Sequence, residues 1–258
     1  MLPSAPLLTL VIPAYNERAR LGRTLAEVLA YLGAQPYASE VLVVDDGSTD
    51  DTAQVAADYF ASHAVDTVTT HVLTYQPNRG KGYAVRQGLA AAQGQVVVFS
   101  DADLSTPIAE LPRLLDPIRA GECDVVFGSR ALDRSLIGTH QPWLREWSGR
   151  FFNRVMRLAT GLPYHDTQCG FKAFRGDVAR ALAAGAQLDR FGFDVELLLL
   201  AHRAGLRLRE QPVRWNDAPG SKVGLLSGLH GFQELRELRR RVRRGEYAAT
   251  LDQLRAIS

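Results

Sequence analysis

The sequence is poor in features that several classes of protein require. Its 258 residues include only two cysteines, Cys123 and Cys169, which lie far apart and form no Cys-Xaa-Xaa-Cys pair. This spacing indicates neither a zinc site nor a disulfide framework, and a reducing cytoplasm is the simplest setting. The net charge of +2 is too small to indicate a nucleic-acid partner, and we expect none.

Long apolar runs are also missing. No uninterrupted apolar stretch reaches the roughly 18 residues that a membrane helix needs. We therefore expect a protein that does not cross a membrane. It can still lie on one, in the cytoplasm at the inner face of the cell membrane.

The loop after the first predicted strand, Leu7–Ile12, lacks glycine. It reads Pro13-Ala14-Tyr15-Asn16-Glu17, and the first glycine of the chain is Gly22. A nicotinamide-dependent oxidoreductase is disfavoured, because its Gly-Xaa-Gly-Xaa-Xaa-Gly loop would stand here. Tyr15, Asn16 and Glu17 instead offer an aromatic face and polar groups suited to a base and a ribose. The alternative is a helix-entry loop in which Asn16 is the cap.

What the sequence does contain is a series of short apolar segments that end on polar side chains. The clearest is Val96–Phe99, which is followed by two carboxylates one residue apart, Asp101 and Asp103. Such a β-branched run predicts a strand buried in a parallel sheet, and ligands bind at the carboxyl ends of these strands. Two acidic groups there are costly unless a cation such as Mg²⁺ or Mn²⁺ neutralises them. The alternative is that Asp101 starts a turn and Asp103 is a solvated loop residue.

Two further predicted strands also end in charged loops. Glu40–Val44 leads to Asp45 and Asp46, whose carboxylates can accept N–H groups of uracil or guanine. Val68–Leu73 leads to Asn78-Arg79-Gly80-Lys81-Gly82 before a helix. A helix N-terminus flanked by cations attracts a diphosphate, so Arg79 and Lys81 are candidates for that role. The alternative is a glycine-rich turn with solvated charges.

These segments resemble family 2 of the inverting nucleotide-sugar glycosyltransferases. The motifs that carry the resemblance are Val-Ile-Pro-Ala-Tyr-Asn-Glu, Val-Asp-Asp-Gly-Ser-Thr-Asp, Asn-Arg-Gly-Lys-Gly, Asp-Ala-Asp and Gly128-Ser129-Arg130. Three later stretches, at 166–172, 193–198 and 219–222, are similar to the dolichyl-phosphate β-glucosyltransferases within that family.

The resemblance implies an α/β fold of the GT-A type, with a mostly parallel, Rossmann-like sheet flanked by helices. It also implies a UDP-sugar or GDP-sugar donor, a divalent metal and a polyprenyl phosphate acceptor. The residues that it places around the nucleotide are Pro13, Tyr15, Glu17, Asp45 and Asp46, and those at the metal are Asp101 and Asp103.

Cations in the second half of the chain are candidates for binding an anionic acceptor. A phosphate monoester is mostly ionised at pH 7, so it needs cations that position it rather than a strong base. Arg130, directly after the predicted strand Val125–Gly128, is the leading candidate, and Asp166 could orient or deprotonate the acceptor. The other candidates are Arg134, Arg145, Arg150, Lys172 and Lys222. For each of them the alternative is a surface charge or a structural ion pair.

The sequence predicts two parts, a glycosyltransferase domain at 1–224 and an amphipathic, basic helical extension at 225–258. Leu235–Arg244 carries five arginines in its last six residues, and 143–156 combines tryptophans with arginines. Both segments suit peripheral contact with an anionic membrane. Alternatively, 143–156 packs on the sheet or on another subunit, and a homo-oligomer is compatible with the sequence.

We therefore predict a metal-dependent inverting glycosyltransferase that moves glucose from UDP-glucose onto a polyprenyl phosphate. In this interpretation Asp103, Arg130 and Asp166 are catalytic, while Arg79, Lys81 and Asp101 help to bind the nucleotide sugar. The alternatives are GDP-mannose as donor and a soluble hydroxyl compound as acceptor. A further alternative, from a different class, is a nucleotide-sugar-binding membrane module without catalytic activity.

Overall fold

The computed structural model describes residues 5–139, 153–217 and 225–258, without the side chains of 225–230 and 232. The strands are β1 (Leu8–Ala14), β2 (Ser39–Asp45), β3 (Val68–Thr74), β4 (Val96–Ser100), β5 (Val125–Ser129), β6 (Ile137–Thr139), β7 (Phe171–Arg175), β8 (Leu208–Pro212) and β9 (Trp215–Asn216). The helices are α1 (Arg18–Gly33), α2 (Thr52–Ser62), α3 (Lys81–Ala91), α4 (Leu111–Arg119), α5 (153–160), α6 (Gly176–Gly185), α7 (Phe193–Arg203), α8 (Leu225–Arg243) and α9 (Ala248–Ala256).

Seven of these strands form one sheet in the order β3-β2-β1-β4-β7-β5-β8. Strands β1 to β4 pair in parallel, as expected for strands joined by helical crossovers. Strand β7 runs antiparallel to both β4 and β5, which the sequence does not indicate. The result is a mixed but mostly parallel sheet between helices, and it confirms the predicted fold class.

Alternate residues of the central strands pack into two hydrophobic clusters. Val11 and Leu42 lie in the cluster that includes α3, α6 and α7. Leu10 and Val41 lie in the cluster that includes α1 and α4. Because successive side chains of a strand point to opposite faces, strands that are apolar at every position are covered by helices on both sides.

The strand order reverses between β1 and β4. Crossovers lead from β1 outward to β2 and β3, whereas β4 lies on the other side of β1. Such a reversal opens a crevice outside the carboxyl ends of the two strands, where ligands bind in open α/β sheets. The register places Ala14 of β1 opposite Asp45 of β2, so the loops that follow these strands start side by side.

Thr106 followed by Pro107, a capping hydroxyl before a proline, is a pattern that predicts the start of a helix, but the helix here starts later. Pro107 has a ψ of 142°, which is extended, and it precedes a short 3-10 helix at Ile108–Glu110. Helix α4 then begins at Leu111. The prediction of a helix start at Thr106 is therefore wrong by about one turn, because the backbone at Pro107 is not yet helical.

The C-terminal helices pack on the body of the protein. Leu235 and Leu238 of α8 and Leu254 of α9 are buried in the same cluster as α3, α6 and α7. The buried Tyr247 hydroxyl donates a hydrogen bond of 2.5 Å to Glu196 of α7. Among the described residues, no helix combines the length and the apolar character needed to cross a membrane.

Helix α3 lies close to β1 at Gly88, where an added Cβ would be 2.2 Å from Cγ1 of Val11. Val11 is fully buried and β-branched, so its side chain has little freedom to move away. We expect Gly88→Ala to lower the free energy of unfolding by about 1–3 kcal/mol, as measured by urea denaturation.

Gly22→Ala is the matched control, because a Cβ there meets nothing within 4 Å in helix α1. Alanine favours a helix over glycine by about 0.5–1 kcal/mol, so this variant should be slightly more stable than the wild type. A Gly88→Ala protein as stable as the wild type would contradict the close packing.

Candidate active site

Asn16 joins the loop after β1 to the loop after β2. Its φ of 53° lies in the left-handed region, its N–H donates to Ser48 Oγ at 2.9 Å, and its Oδ1 accepts from Thr49 N at 2.8 Å. The interpretation of Asn16 as a helix cap is wrong, because Glu17 occupies that position. Tyr15, beside it, is 37% exposed.

Asp46 organises the loop between β3 and α3. Its buried carboxylate accepts hydrogen bonds from the Tyr75 hydroxyl and the Arg79 N–H at 2.8 Å each, from Gly80 N–H at 2.8 Å and from Asn78 Nδ2 at 2.7 Å. Burial and this carboxylate raise the pKa of Tyr75. The backbone that precedes α3 is therefore fixed by a side chain at the end of β2.

Asp45 is bonded within its own turn, since its carboxylate accepts from the backbone N–H of Ser48 at 3.2 Å and from the Ser48 hydroxyl. Pro13, also predicted near the nucleotide, is buried in β1 opposite Val44. The roles of Asp45, Asp46 and Pro13 toward a nucleotide stay predictions.

Arg79 and Lys81, the predicted diphosphate ligands, face different partners. The Arg79 guanidinium stacks 3.8 Å above the Tyr83 ring and lies 3.3 Å from Asp189. The Lys81 ammonium pairs with Oδ1 of Asp101. Although burial opposes the charge of Lys81, the carboxylates of Asp101 and Asp194 raise its pKa above the ordinary value.

Asp101 is confined by the segment that leads into β7. Its N–H donates to the carbonyl of Gly170 at 3.1 Å, and a Cβ on Gly170 would lie 2.0 Å from the Asp101 carboxylate. Only glycine leaves room at this position for that carboxylate. The segment before β7, the strand whose antiparallel direction the sequence does not indicate, thus forms one wall of the site.

Asp103 lies at the start of the next turn, where its Oδ1 accepts from Ser105 N at 2.9 Å and its Oδ2 lies 3.9 Å from Arg20. Within the described ranges, no group of three or more His, Cys, Asp or Glu side chains is arranged to hold a metal. Mg²⁺ usually takes one or two protein carboxylates and completes its shell with water and phosphate oxygens. The partly exposed pair Asp101 and Asp103 fits that requirement.

Arg130 is held rigidly by Asp166. Its Nε and NH2 donate to the two carboxylate oxygens at 2.7 and 2.9 Å, and its backbone N–H donates at 3.1 Å. Although burial alone favours the neutral acid, the guanidinium lowers the pKa of Asp166 to about 2. A carboxylate of this acidity is a weak base, and its contacts are those of a group that orients Arg130.

Lys172 and Asp194 form a buried ion pair beneath the site. Lys172 is 0% exposed, and its ammonium donates to Asp194 at 2.5 Å and to the Cys169 carbonyl at 2.6 Å. Burial raises the pKa of Asp194. In this arrangement Lys172 has no exposed surface on which to receive an acceptor, so its predicted contact with a phosphate stays a prediction.

The structure brings several of the predicted groups together. The Asp101 carboxylate contributes to raising the pKa of both Lys81 and Arg130, so it lies within electrostatic reach of both cations. The predicted acceptor ligands Arg145, Arg150 and Lys222 lie outside the described residues.

Two acidic residues that hold the site together have no signal in the sequence. Asp189 pairs with Arg79 and with Arg86, at 3.3 and 2.6 Å. Glu210 of β8 accepts the backbone N–H groups of His165 and Asp166, at 2.8 and 2.7 Å. Their partners are far away in the chain, so no local spacing reveals them.

The low pKa of Asp166 makes a testable contribution to stability. Because its pKa falls from 3.8 to about 2 on folding, the ionised carboxylate adds about 2 kcal/mol above pH 4. This contribution is lost as the pH falls through 2. We expect the difference in unfolding free energy between wild type and Asp166→Asn to shrink by about that amount from pH 5 to pH 2, in urea titrations. A difference independent of pH would contradict the paired, ionised state.

The chain is similar to known glycosyltransferases in sequence. The model of the family described as glycosyl transferase family 2 matches residues 9–182. A dolichyl-phosphate beta-glucosyltransferase of Drosophila melanogaster is 37% identical over 227 residues, which cover 84% of this chain and 69% of that protein. The human protein of the same name is 33% identical over 227 residues, with the same coverage of each chain.

Solved structures show the same fold. Glucosyl-3-phosphoglycerate synthase from Mycobacterium tuberculosis, in complex with Mn²⁺, uridine-diphosphate-glucose and phosphoglyceric acid, superposes with a TM-score of 0.64 at 20% identity. The match covers 91% of this chain and 80% of that one. The GT-A fold expected from the sequence is confirmed, and the chain belongs to glycosyl transferase family 2.

Proposed function

We propose that this glycosyltransferase moves glucose from UDP-glucose onto a polyprenyl phosphate, with inversion at the anomeric carbon. The support is the identity of 33–37% to proteins named dolichyl-phosphate beta-glucosyltransferases, over 84% of this chain. The observation that carries the proposal is the Asp101 carboxylate, which pairs with Lys81 and acts electrostatically on Arg130. An anionic donor and an anionic acceptor can meet at such a site.

At the donor end, Asp101 and Asp103 are the residues that would hold Mg²⁺ or Mn²⁺. When bound there, such an ion would supply Lewis-acid stabilisation of the departing nucleoside diphosphate. Lys81 lies beside Asp101 at the first residue of α3, where backbone N–H groups also favour a phosphate. Arg79 is the second cation of this loop, with its backbone fixed by Asp46.

At the acceptor end, Arg130 is the cation that holds the phosphate in line with the anomeric carbon. Its orientation is set by the two hydrogen bonds to Asp166, so it does not have to reorganise when the acceptor arrives. A hydroxyl acceptor would need a general base, and Asp166, with a pKa of about 2, is a poor one. A phosphate, already ionised, needs only positioning, and this favours the phosphate acceptor over the hydroxyl alternative.

A polyprenyl acceptor lies in a membrane, and α8 offers a surface that suits one. Its apolar residues Leu235 and Leu238 face the core. The exposed arginines of α8 and of the residue that follows it are Arg236, Arg239, Arg240, Arg243 and Arg244. We propose that this arginine face makes peripheral contact with an anionic membrane, where each basic residue contributes about 1 kcal/mol.

The donor and the acceptor are tested together by measuring release of the nucleoside diphosphate. With Mn²⁺ and undecaprenyl phosphate, we expect wild-type protein to release UDP from UDP-glucose faster than GDP from GDP-mannose. Asp103→Ala should lower this rate on the order of 100-fold or more, because a group that stabilises the transition state is lost.

Asp66→Ala, which removes an exposed carboxylate from the loop before β3, is the control and should keep full activity. UDP release that does not depend on the lipid phosphate would favour a hydroxyl acceptor. Faster release of GDP from GDP-mannose would identify GDP-mannose as the donor. No release with either donor would leave the binding module as the function. Full activity of Asp103→Ala would remove Asp103 from the mechanism.

The arginine face is tested separately by sedimentation with lipid vesicles. Replacing Arg239, Arg240, Arg243 and Arg244 by alanine should weaken binding to phosphatidylglycerol vesicles on the order of 1,000-fold, at about 1 kcal/mol for each residue. Arg23→Ala, on the exposed side of α1, is the control and should bind as the wild type does. Equal binding of the quadruple variant would show that α8 is not the contact surface.

A further inference from the structure

The segment 187–192, here called the 187–192 loop, packs directly against the backbone around the start of α3. A Cβ on Gly80 would lie 2.5 Å from the carbonyl oxygen of Asp189, and one on Gly82 would lie 2.6 Å from that of Leu188. The two segments are therefore in contact through their backbones. A shift of the 187–192 loop would move the loop that carries Arg79 and Lys81.

Asp189 adds directional bonds to this contact. Its carboxylate accepts from Arg79 at 3.3 Å and from Arg86 at 2.6 Å. Its carbonyl accepts from the backbone N–H of Tyr83 at 3.0 Å. The position of the Arg79 guanidinium thus depends on where the 187–192 loop lies.

The 187–192 loop is itself held by Glu234 of α8. The Glu234 carboxylate accepts three backbone N–H groups, from Arg190 at 3.2 Å, Phe191 at 3.1 Å and Gly192 at 2.9 Å. Its Cβ lies 3.0 Å from the place of a Cβ on Gly192, so the helix is in close contact with the loop. One side chain of α8 therefore binds half of the loop's backbone donors.

The other end of the 187–192 loop is fixed as well. Glu196 of α7 accepts the N–H groups of Gln187 and Leu188 at 2.8 and 2.9 Å. Arg241, two turns after Glu234 on α8, bonds the Gln187 side chain. Asp189 lies between the two anchored ends of the loop. Glu196 binds the N–H groups that precede Asp189, and Glu234 binds those that follow it.

We infer that Glu234 is a positioning residue of the donor site. It fixes the 187–192 loop and, through Asp189, sets the place of Arg79 and of the first turn of α3. The inference rests on the proposed function for its consequence, which is binding of the donor diphosphate. Helix α8 is then part of the catalytic scaffold in addition to its arginine surface.

The inference is tested with Glu234→Ala and Glu234→Gln, with Gln233→Ala as the matched control on the same helix. Gln233 is exposed and adjacent in sequence. Hydrogen exchange followed by mass spectrometry should show about 10-fold faster exchange in 187–192 and in 79–84 of Glu234→Ala, because three backbone donors lose their acceptor. Kinetics should show a donor KM raised about 10-fold, with the KM for the lipid phosphate unchanged. Glu234→Gln, which keeps one acceptor oxygen, should lie in between.

Exchange in 79–84 that stays at the wild-type rate in a folded Glu234 variant would overturn the inference. The same holds if the melting temperature falls while the donor KM does not change, since that is the result of a merely structural role. Exchange is measured without substrates, so it reports on Glu234 even if the wild type transfers no sugar. Absence of nucleoside diphosphate release by the wild type would instead count against the proposed function.

Discussion

The carboxylate of Asp101 lies where the parallel and the antiparallel parts of the sheet meet, and the site depends on how its charge is balanced. Gly170 confines it from the side of β7, and Lys81 pairs with it from the start of α3. Burying a charge without a partner is costly, and a buried pair is tolerated when its hydrogen bonds are complete. Two further ion pairs continue this pattern of acid beside base across the site, Arg130 with Asp166 and Lys172 with Asp194.

The donor end and the acceptor end of the proposed site are formed by different parts of the sheet. The donor end is built by loops that follow the parallel strands β1 to β4, where Asp46 fixes the backbone before α3. The acceptor end is built by β5 and by the segment before β7, where Asp166 fixes Arg130. Each end thus has one buried carboxylate that holds a cation-bearing loop. Because these cations are already held in place, the site needs little reorganisation when charge develops in the transition state.

Sequence patterns reveal the local part of this design and miss the long-range part. The apolar strands ending at Asp45 and at Asp101, and the charged loop before α3, are visible because each is a continuous stretch. The direction of β7 is not visible in the sequence, because the side-chain pattern of Phe171–Arg175 is compatible with either a parallel or an antiparallel pairing. Asp189 and Glu234 act on residues distant in sequence, and nothing in their neighbours distinguishes them from solvated acids.

Helix α8 shows why such long-range contacts matter for function. Leu235 and Leu238 bury one side of the helix, Glu234 binds the 187–192 loop, and Arg236, Arg239, Arg240 and Arg243 face solvent. A helix that is rigid over these turns moves as one body. Contact of its arginine face with an anionic surface would restrict the helix, and the 187–192 loop with it. In our proposals, the helix that brings the protein to its lipid acceptor also positions Arg79 for the donor, so one helix would link the two substrates.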